Sequence, residues 1–545
     1  MATAHIDTFV YDRLPPPDQR AITQFEGLDW QCPERVNLVA VLLDDAVASR
    51  GFSERVMLRS DGQSLTYGEA LLRVNQICRV LVDDLGLQSG QRVLLRGGNS
   101  IVLALSWLAV VKAGGIAVAT MPLLRAKELG EIIEKSRPSL TICEALWLDE
   151  MTMAIASADS VHLPVVTFNA TGHVGDEARD LMRMSKEKPT SFDAVKVLAD
   201  DIALLAFTSG TTGKPKAVCH SHCDVLASCQ AWPKHVLQLV SSDIVVGSPP
   251  LAFTFGLGAM LIYPMWAGAS VYFPAKGYTP ESMVQTLNRA RATVTVTAPT
   301  FYRQMAPFAA THTLPSLRLS VSAGEGLPDA TRGLWRDATG VEMIDGIGAT
   351  EMFHIFISSA GSEVKRGAIG KVVPGYQAKV VDENGNELPR GKIGKLAVIG
   401  PTSCKYLDDP RQTNYVKSGW NYPGDAFLQD EEGYFVYQSR ADDMIITAGY
   451  NVGGPEVEDA LMRHEAVAEC GVIGKPDDER GMIVKAFVVL KPGFVASASL
   501  TETLQAHVKA TIAPYKYPRE IEFLASLPRT ETGKLQRFKL KGNTP

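Results

Sequence analysis

The spacing of apolar residues along the chain alternates between a helical and a strand period. Between Thr66 and Gly86, apolar residues recur every three or four positions, which predicts a helix with one buried face. That face consists of Leu71, Val74, Cys78, Leu81 and Leu85. Thr66 and Glu69 fit a capping box at its first turn. The buried strand RVLLRG follows, and Asn99 or Ser100 is expected to cap the next helix.

Later segments continue this alternation. The most apolar stretch, residues 100–124, contains Lys112 and two adjacent glycines, so it predicts a buried helix followed by a strand rather than a membrane span. The β-branched segments SVYF and TVTVTAP lie between helical segments and predict further strands. We therefore expect the α/β fold class, with layered α/β sheets in a large N-terminal part of the chain.

The pattern changes after about residue 365. The segment KVVDENGNELPRGKIGKLAVIG predicts a β-hairpin, so we expect a β-rich subdomain at about residues 365–440. NVGGPEVEDALMRHEAV then begins a new helical pattern, and the rest of the chain has the size of a small domain. We predict an N-terminal domain at residues 1–440 and a small α+β C-terminal domain at residues 441–545, divided between Arg440 and Asp443.

Composition and charge exclude some partners. The chain has 545 residues and a mass of 59.0 kDa, of which 46% are hydrophobic and 21% charged, as in ordinary globular proteins of several domains. A net charge of −6, from 54 basic and 60 acidic residues, offers no basic surplus for nucleic acid or a membrane surface. The polar, proline-rich N-terminus is not a signal segment, so we expect a cytoplasmic protein. We leave a homodimer open.

The cysteines give no sign of a disulfide framework. Eight are spread irregularly, which indicates reduced thiols. The segment CHSHC, residues 219–223, is rich in metal-ligating residues. On the helix expected there, Cys219 and Cys223 share a face whereas His220 and His222 diverge. A structural zinc site needs four converging ligands, so we do not expect one.

The segment FTSGTTGKPK, residues 207–216, points to phosphate chemistry. Its glycines allow consecutive backbone N–H groups to face an anion, and its hydroxyl and ammonium groups supply further donors. It departs from the Walker pattern, because Pro215 stands where that motif needs Ser or Thr. We expect a strand, this turn and then a helix, an arrangement suited to a polyphosphate. A flexible surface loop is the alternative.

Several segments, in order along the chain, resemble the adenylate-forming ligase superfamily, which includes acyl-CoA synthetases, carrier-loading adenylation domains and beetle luciferases. Besides FTSGTTGKPK they are WLAVVKAGGIAV, SAGEGLP, GIGATEM, YPGDAF, SRADDMIITAGYNVGGPEVE and PRTETGKLQRF. The resemblance extends over about residues 35–540. It implies a large domain that binds ATP and an acid, and a small mobile C-terminal domain.

The resemblance implies a two-step reaction that uses ATP, Mg²⁺ and coenzyme A. A carboxylate is a poor electrophile, so ATP first converts it into an acyl-adenylate with release of pyrophosphate, and a thiol then displaces AMP. The first step brings two anions together, which makes positioning and charge neutralisation important. By resemblance, Glu351 binds Mg²⁺, Thr350 contacts the α phosphate, and Lys534 is the catalytic residue between that phosphate and the carboxylate.

The remaining nucleotide and thiol contacts are also implied by resemblance. The β and γ phosphates are assigned to Thr208, Ser209, Gly210, Thr211, Thr212, Gly213 and Lys214. Adenine and ribose are assigned to Gly324, Glu325, Asp345, Gly346, Ile347, Asp425 and Arg440. Between the two steps the C-terminal domain would rotate about the hinge residue Asp442 and withdraw Lys534. The same rotation would bring Gly449, Tyr450 and Asn451 toward the CoA tunnel.

Segments around the expected acyl pocket are similar to those of benzoate-CoA ligases. The pocket is assigned to Phe253, Thr254, Phe255, Ala323, Gly348, His354 and Ile355. Small residues beside aromatic rings suit a flat, compact acid. Phe255 stands where benzoate enzymes carry tyrosine, and the N-terminal segments resemble 2-aminobenzoate (anthranilate)-CoA ligases. Anthranilate is therefore the expected acid, with benzoate or another substituted benzoate as the alternative.

Four rival functions are weighed, of which one stays open. An amino-acid adenylation domain would place an acidic residue near LAFTFG, and none is there. A stand-alone aryl-acid adenylation enzyme that loads a carrier protein in trans stays open, whereas luciferase-type oxidation does not fit a benzoate-like pocket. A non-catalytic nucleotide-binding regulator is disfavoured, because Thr350, Glu351, Asp425, Arg440 and Lys534 are all retained.

Overall fold

The computed structural model describes residues 3–158, 163–169, 179–208, 215–275, 277–440, 443–447, 450–477, 480–529 and 535–542, without the side chain of Asn451. The strands up to residue 372 are β1 (Val56–Ser60), β2 (Gln63–Thr66), β3 (Arg92–Arg96), β4 (Ile116–Thr120), β5 (Leu140–Glu144), β6 (Val165–Phe168), β7 (Ile202–Thr208), β8 (Lys216–Ser221), β9 (Ile244–Gly247), β10 (Ser270–Tyr272), β11 (Val294–Thr297), β12 (Leu319–Ala323), β13 (Met343–Gly348), β14 (Ile355–Ser359) and β15 (Lys371–Val372).

These strands form two sheets. One has the order β6-β5-β3-β4-β7-β8 and is parallel except for the antiparallel pair β7 and β8. The other has the order β15-β14-β13-β12-β11-β9-β10-β1-β2, with a parallel centre from β13 to β1. The mixed α/β fold class is confirmed.

Helices connect and cover the strands. In the N-terminal part they are α1 (Asp45–Ala48), α2 (Tyr67–Arg79), α3 (Ile101–Lys112), α4 (Ala126–Ser136), α5 (Leu148–Ser157), α6 (Leu181–Ser185), α7 (His222–Gln230), α8 (Thr254–Leu257), α9 (Tyr263–Ala267), α10 (Pro280–Arg289), α11 (Pro299–Ala309), α12 (Asp329–Thr339) and α13 (Gln412–Tyr415). The predicted capping box of α2 is present, since Thr66 accepts from Glu69 N and Glu69 accepts from Thr66 N. Ser100 caps α3, as one of the two expected residues.

Helix α3 explains why residues 100–124 are so apolar. It contacts β1 of one sheet and β3 and β4 of the other, so nearly every side chain is buried. A helix enclosed on all sides needs no polar face. Its one charged residue, Lys112, is fully buried and donates to Asp44 and Asn75, each at 2.6 Å. Within the described residues, no helix is both long and apolar enough to cross a bilayer.

The predicted β-rich region follows these sheets. Its strands are β16 (Gln377–Val381), β17 (Gly394–Ile399), β18 (Val416–Lys417), β19 (Trp420–Asn421), β20 (Asp425–Gln429) and β21 (Phe435–Arg440). Strands β16 and β17 form the expected hairpin, paired from Gln377–Ile399 to Val381–Lys395. Strand β21 ends at Arg440, and the next strand belongs to another sheet. This change of sheet supports the proposed division of the chain at residue 440.

The C-terminal part has a sheet and a core of its own. Its strands are β22 (Ile445–Thr447), β23 (Tyr450–Val452), β24 (Val467–Asp477), β25 (Gly481–Leu490) and β26 (Glu520–Phe523), and its helices are α14 (Gly454–Met462), α15 (Ala498–Thr511) and α16 (Arg537–Gly542). The sheet has the order β23-β22-β25-β24, with β26 also pairing with β25. Helix α14 contacts α12 and β21 of the N-terminal part.

The expectation of reduced thiols is wrong for two of the cysteines. Cys32 and Cys223 form a disulfide, with their Cα atoms 6.0 Å apart. The two residues are separated by 191 positions, so their proximity could not be read from the sequence. The free cysteines of the described residues are all buried, and they are Cys78, Cys143, Cys219, Cys229, Cys404 and Cys470.

Candidate active site

The phosphate-type segment joins two strands of a hairpin. Strand β7 ends at Thr208, which pairs with Lys216 at the start of β8. The expected helix directly after the turn is therefore wrong, because helix α7 begins only at His222. Residues 216–221 form a strand since they pair with β7 on one side and with residues 405–407 on the other. Six assigned phosphate contacts lie outside the described residues: Ser209, Gly210, Thr211, Thr212, Gly213 and Lys214.

The expected metal ligand stands on a short turn after β13. Thr350, Glu351 and Met352 form a 3₁₀ turn, and Phe353 ends it with φ of +67°. A bulky residue at positive φ is strained by about 1–3 kcal/mol, which the surrounding packing must offset. The ring of Phe353 is buried against the ring of His220, 5.3 Å away. The strain therefore lies next to Glu351.

His220 fixes the backbone of this turn. Its Nε2 lies 2.8 Å from the carbonyl oxygen of Thr350, which can only accept, so Nε2 donates. Burial lowers the pKa of His220 to about 4, and the imidazole is neutral near pH 7. His220 and Cys219 belong to β8, so they do not share the helix predicted for CHSHC. Within the described residues, no group of three or more His, Cys, Asp or Glu side chains gathers as metal ligands.

The Glu351 carboxylate contacts two residues that the sequence analysis did not assign. Lys216 Nζ lies 3.1 Å from Glu351 Oε1, and Tyr406 OH lies 2.5 Å from the same oxygen. Lys216 Nζ also lies 2.6 Å from Tyr406 OH. Burial, and then the charge of Glu351, raises the pKa of Tyr406, which keeps the phenol protonated as a donor. Lys216 is the last residue of the segment FTSGTTGKPK, which the sequence analysis had singled out, whereas no sequence pattern pointed to Tyr406.

The assigned adenine segments lie side by side on neighbouring strands. Ala323 at the end of β12 pairs with Gly346 of β13, which places Gly324 and Glu325 beside Asp345, Gly346 and Ile347. Burial raises the pKa of Asp345 to about 7, although Arg332 and the Gly346 N–H oppose this shift. Glu325 accepts a 2.9 Å hydrogen bond from Thr300 Oγ1.

The two residues assigned to ribose are also neighbours. Asp425 of β20 pairs directly with Arg440 of β21. Arg440 Nη1 donates to Asp425 Oδ1 at 3.2 Å and to the Pro423 carbonyl at 3.1 Å. Asp425 is 8% exposed, so its carboxylate is largely shielded from solvent.

The expected acyl pocket contains a cluster of buried rings. His354 lies 5.5 Å from Phe255, 5.1 Å from Trp232 and 4.7 Å from Tyr263, measured between ring centroids. Trp232 and Tyr263 were not predicted, because they belong to segments about 90 to 120 residues before His354 in the sequence. Phe253 stands at the N-cap position of α8, Thr254 is buried at the start of that helix, and Ile355 is the first residue of β14. Gly258 lets its backbone lie close to the ring of His354, since a Cβ at this position would be 2.5 Å from His354 Cδ2.

Gly348 is required by the same packing. A Cβ at this position would lie 2.5 Å from the carbonyl oxygen of His354 and 2.9 Å from Ile355 N. Both atoms belong to the backbone of the adjacent strand and cannot rotate away. The glycine therefore lets β13 and β14 approach closely at the wall of the expected pocket.

The C-terminal part contacts the adenine segment. Arg529 Nη1 lies 4.0 Å from Glu325 Oε1, and its Nη2 lies 2.9 Å from Glu469. Arg463 and Asp459 approach the start of α12 at Asp329 and Ala330. Tyr450 is 56% exposed, and its ring lies 4.6 Å from that of Tyr515.

Three assigned residues and one assigned side chain of the C-terminal part lie outside the described residues. They are Lys534, the hinge residue Asp442, Gly449 and the side chain of Asn451.

Comparison with known proteins decides the family. Residues 44–406 match the AMP-binding enzyme family, and residues 456–534 match the AMP-binding enzyme C-terminal domain. The chain belongs to the AMP-binding enzyme family. The resemblance to the adenylate-forming ligase superfamily is thereby confirmed.

Relatives with similar sequences or structures cover nearly the whole chain. The chain is 36% identical over 515 residues to the benzoate–CoA ligase of Thauera aromatica, covering 93% of this chain and 96% of that protein. The crystal structure of the anthranilate CoA ligase AuaEII in complex with anthranoyl-AMP is similar with a TM-score of 0.87 and 35% identity, over 94% of this chain and 97% of that one. A benzoate CoA ligase from Burkholderia xenovorans LB400 has a TM-score of 0.82 and 30% identity, over 93% of this chain and 100% of that one.

Proposed function

We propose that this AMP-binding enzyme is an ATP-dependent aryl-CoA ligase that converts an aromatic acid to its CoA thioester through an acyl-adenylate. The observation that carries the proposal is the ion pair between Glu351 and Lys216, the residue that begins β8 directly after the phosphate-type segment. The Asp425–Arg440 pair and the β12–β13 segments add supports for ribose and adenine. Similarity to benzoate- and anthranilate-CoA ligases along nearly the whole chain supports the same reaction.

The donor set fits magnesium. Mg²⁺ takes oxygen ligands and is commonly held by one or two carboxylates together with substrate phosphates. Glu351 supplies one buried carboxylate, in contact with Lys216 at the end of the phosphate-type segment. It would therefore hold the cation. When bound, Mg²⁺ would neutralise phosphate charge. Thr350 and Thr208 would orient phosphate oxygens through their hydroxyl groups.

For the second step we propose rotation of the C-terminal domain about Asp442. Lys534 would stand between the acid and the α phosphate in the first step and leave in the second. The contact of Arg529 with Glu325 supports this placement, because Arg529 precedes Lys534 by only five residues and already lies against the adenine segment. Gly449, Tyr450 and Asn451 would then border the path of the CoA thiol.

Anthranilate is the acid we propose. The Nε2 of His354 faces the carbonyl oxygen of Phe255 at 3.3 Å, so Nε2 carries the proton and Nδ1 has the lone pair. Burial lowers the pKa of His354 to about 3, so the ring is neutral near pH 7. Among the described residues no donor reaches Nδ1. An amine on the substrate ring would supply that donor, whereas benzoate would leave a buried acceptor unpaired.

A panel of acids tests both the proposed ligase reaction and the proposed substrate. Anthranilate, benzoate, other substituted benzoates and a medium-chain fatty acid are each incubated with ATP, Mg²⁺ and coenzyme A, and the CoA product is identified by mass. We expect anthranilate to exceed benzoate in kcat/KM by roughly 10–200-fold, the range for small differences in such pockets. If benzoate had the highest kcat/KM, the proposed acid would be wrong but the ligase function would stand. Pyrophosphate release without any CoA thioester would favour carrier loading in trans, and no release with any acid would refute the ligase function.

A further inference from the structure

Tyr406 forms part of a three-residue hydrogen-bond chain that ends on the expected metal ligand. A carboxylate only accepts, so the phenol donates to Glu351 Oε1 at 2.5 Å and accepts from the Lys216 ammonium group at 2.6 Å. Lys216 donates to the same Oε1 at 3.1 Å. Throughout the described part of the chain, no donor reaches the other oxygen, Oε2. The two carboxylate oxygens are therefore in different environments.

We propose that Tyr406 is a positioning residue that holds the Glu351 carboxylate with Oε2 facing the magnesium ion, and so sets the affinity for Mg²⁺·ATP. The inference rests on the proposed function for the role of Glu351. Lys216 alone is a poor positioning group, because it is a charged amine on a flexible stem and repels a cation. The phenol is neutral and rigid, so it fixes the carboxylate without adding positive charge.

The backbone around Tyr406 is itself held firmly. We call residues 404–407 the 404–407 segment. It pairs with β8, through Leu407 N to Ala217 O at 2.9 Å and Cys219 N to Lys405 O at 2.7 Å. Strand β8 also carries Lys216, so both donors to Glu351 stand on paired backbone segments. A group that must orient a ligand works best when its own position is fixed in advance.

Side chains complete the support of Tyr406. The buried Gln412 accepts from Tyr406 N at 2.9 Å and donates to the Cys404 and Gln19 carbonyls. The ring of Tyr406 is 1% exposed and packs edge-on against Tyr415, 5.9 Å away. The phenol therefore has little freedom to turn away from Glu351.

The test removes one hydroxyl group and measures nucleotide binding rather than turnover. ATP binding to wild type and Tyr406→Phe is followed by calorimetry over a series of free Mg²⁺ concentrations. We expect the Mg²⁺ concentration for half-maximal ATP binding to rise about tenfold, as for loss of one hydrogen bond to a charged group. ATP affinity at saturating Mg²⁺ should change less than about twofold, because the nucleotide contacts themselves are retained.

Tyr415→Phe is the matched control. Its hydroxyl is buried in the same ring pair and has no hydrogen-bond partner among the described residues, so its removal should leave the Mg²⁺ midpoint unchanged. A second test uses Glu351→Gln as the background. If Tyr406 acts through Glu351, Tyr406→Phe should add no further shift there. The melting temperature of each variant is measured as well, so that a general loss of folding is distinguished from a loss of Mg²⁺ affinity.

The outcomes separate this inference from the proposed function. An unchanged Mg²⁺ midpoint in folded Tyr406→Phe, or an equal further shift in the Glu351→Gln background, overturns the positioning role. A wild-type protein that binds Mg²⁺·ATP with the expected tyrosine dependence, yet forms no adenylate from any acid, keeps the positioning role and removes the ligase function.

Discussion

At the scale of single residues, Asp345 combines a buried position with a titration near neutral pH. Its pKa is raised to about 7, mainly by burial, whereas an unfolded chain titrates near the ordinary value of 3.8. Between these values the folded state binds more protons than the unfolded state. The free energy of unfolding must therefore fall as the pH rises through this window, by up to about 1.4 kcal/mol per pH unit.

We predict that Asp345→Asn removes this dependence. The melting temperature of wild type, relative to that of the variant, should decline from pH 5 to pH 8, because only wild type must ionise a buried carboxyl group. Thermal unfolding at unit pH steps measures the difference. Asp382→Asn is the control, since hydrogen bonds from Asn386 lower the pKa of Asp382, so it does not titrate in this window. Parallel curves for wild type and Asp345→Asn would show that the carboxyl group is ionised throughout.

At the scale of elements, the close approach of β13 and β14 determines the wall of the expected acyl pocket. We predict that Gly348→Ala destabilises the fold by about 1–3 kcal/mol, because the added methyl group would meet the backbone of His354. It should also raise the KM for the acid, since His354 must move. Denaturant unfolding and steady-state kinetics measure the two effects.

Gly333→Ala is a control that should change the stability of the fold in the opposite direction. Gly333 lies within helix α12, and a Cβ there would meet no atom within 4 Å. Alanine should therefore stabilise by roughly 0.5–1 kcal/mol, through its better helix propensity. If Gly348→Ala were equally harmless, β13 and β14 would have to separate more easily than their packing indicates.

The same scale shows what the sequence could predict and what it could not. The cap of α2 and the β16–β17 hairpin were predicted because their signals lie within a few residues of one another. Strand β8 was mistaken for a helix; of its two partners, β7 lies just before it in the chain, but the 404–407 segment lies almost two hundred residues away. Tyr406 was missed for the same reason. The resemblance supplied Glu351, but the partners of its carboxylate depend on contacts between distant segments.

At the scale of the whole molecule, the contact between the two parts of the chain bears on the order of the two reaction steps. Arg529 lies 4.0 Å from Glu325, so the described chain that precedes Lys534 lies against the segment that we assign to adenine. A lysine delivered from there can neutralise charge during adenylate formation. It has no such task once the adenylate exists, because the thiol attacks an already activated carbonyl group.

We therefore predict that Lys534→Ala lowers the rate of adenylate formation by orders of magnitude and spares thioester formation from supplied acyl-adenylate. The two half-reactions are measured separately, by pyrophosphate release and by the mass of the CoA product. Asp442→Pro should do roughly the reverse, since a rigid hinge would keep the domain in the first arrangement. Lys509→Ala, an exposed lysine on α15 of the same domain, should alter neither step. Equal losses in both half-reactions for Lys534→Ala would instead mean that the lysine supports the fold or the nucleotide generally, and that domain rotation does not separate the two steps.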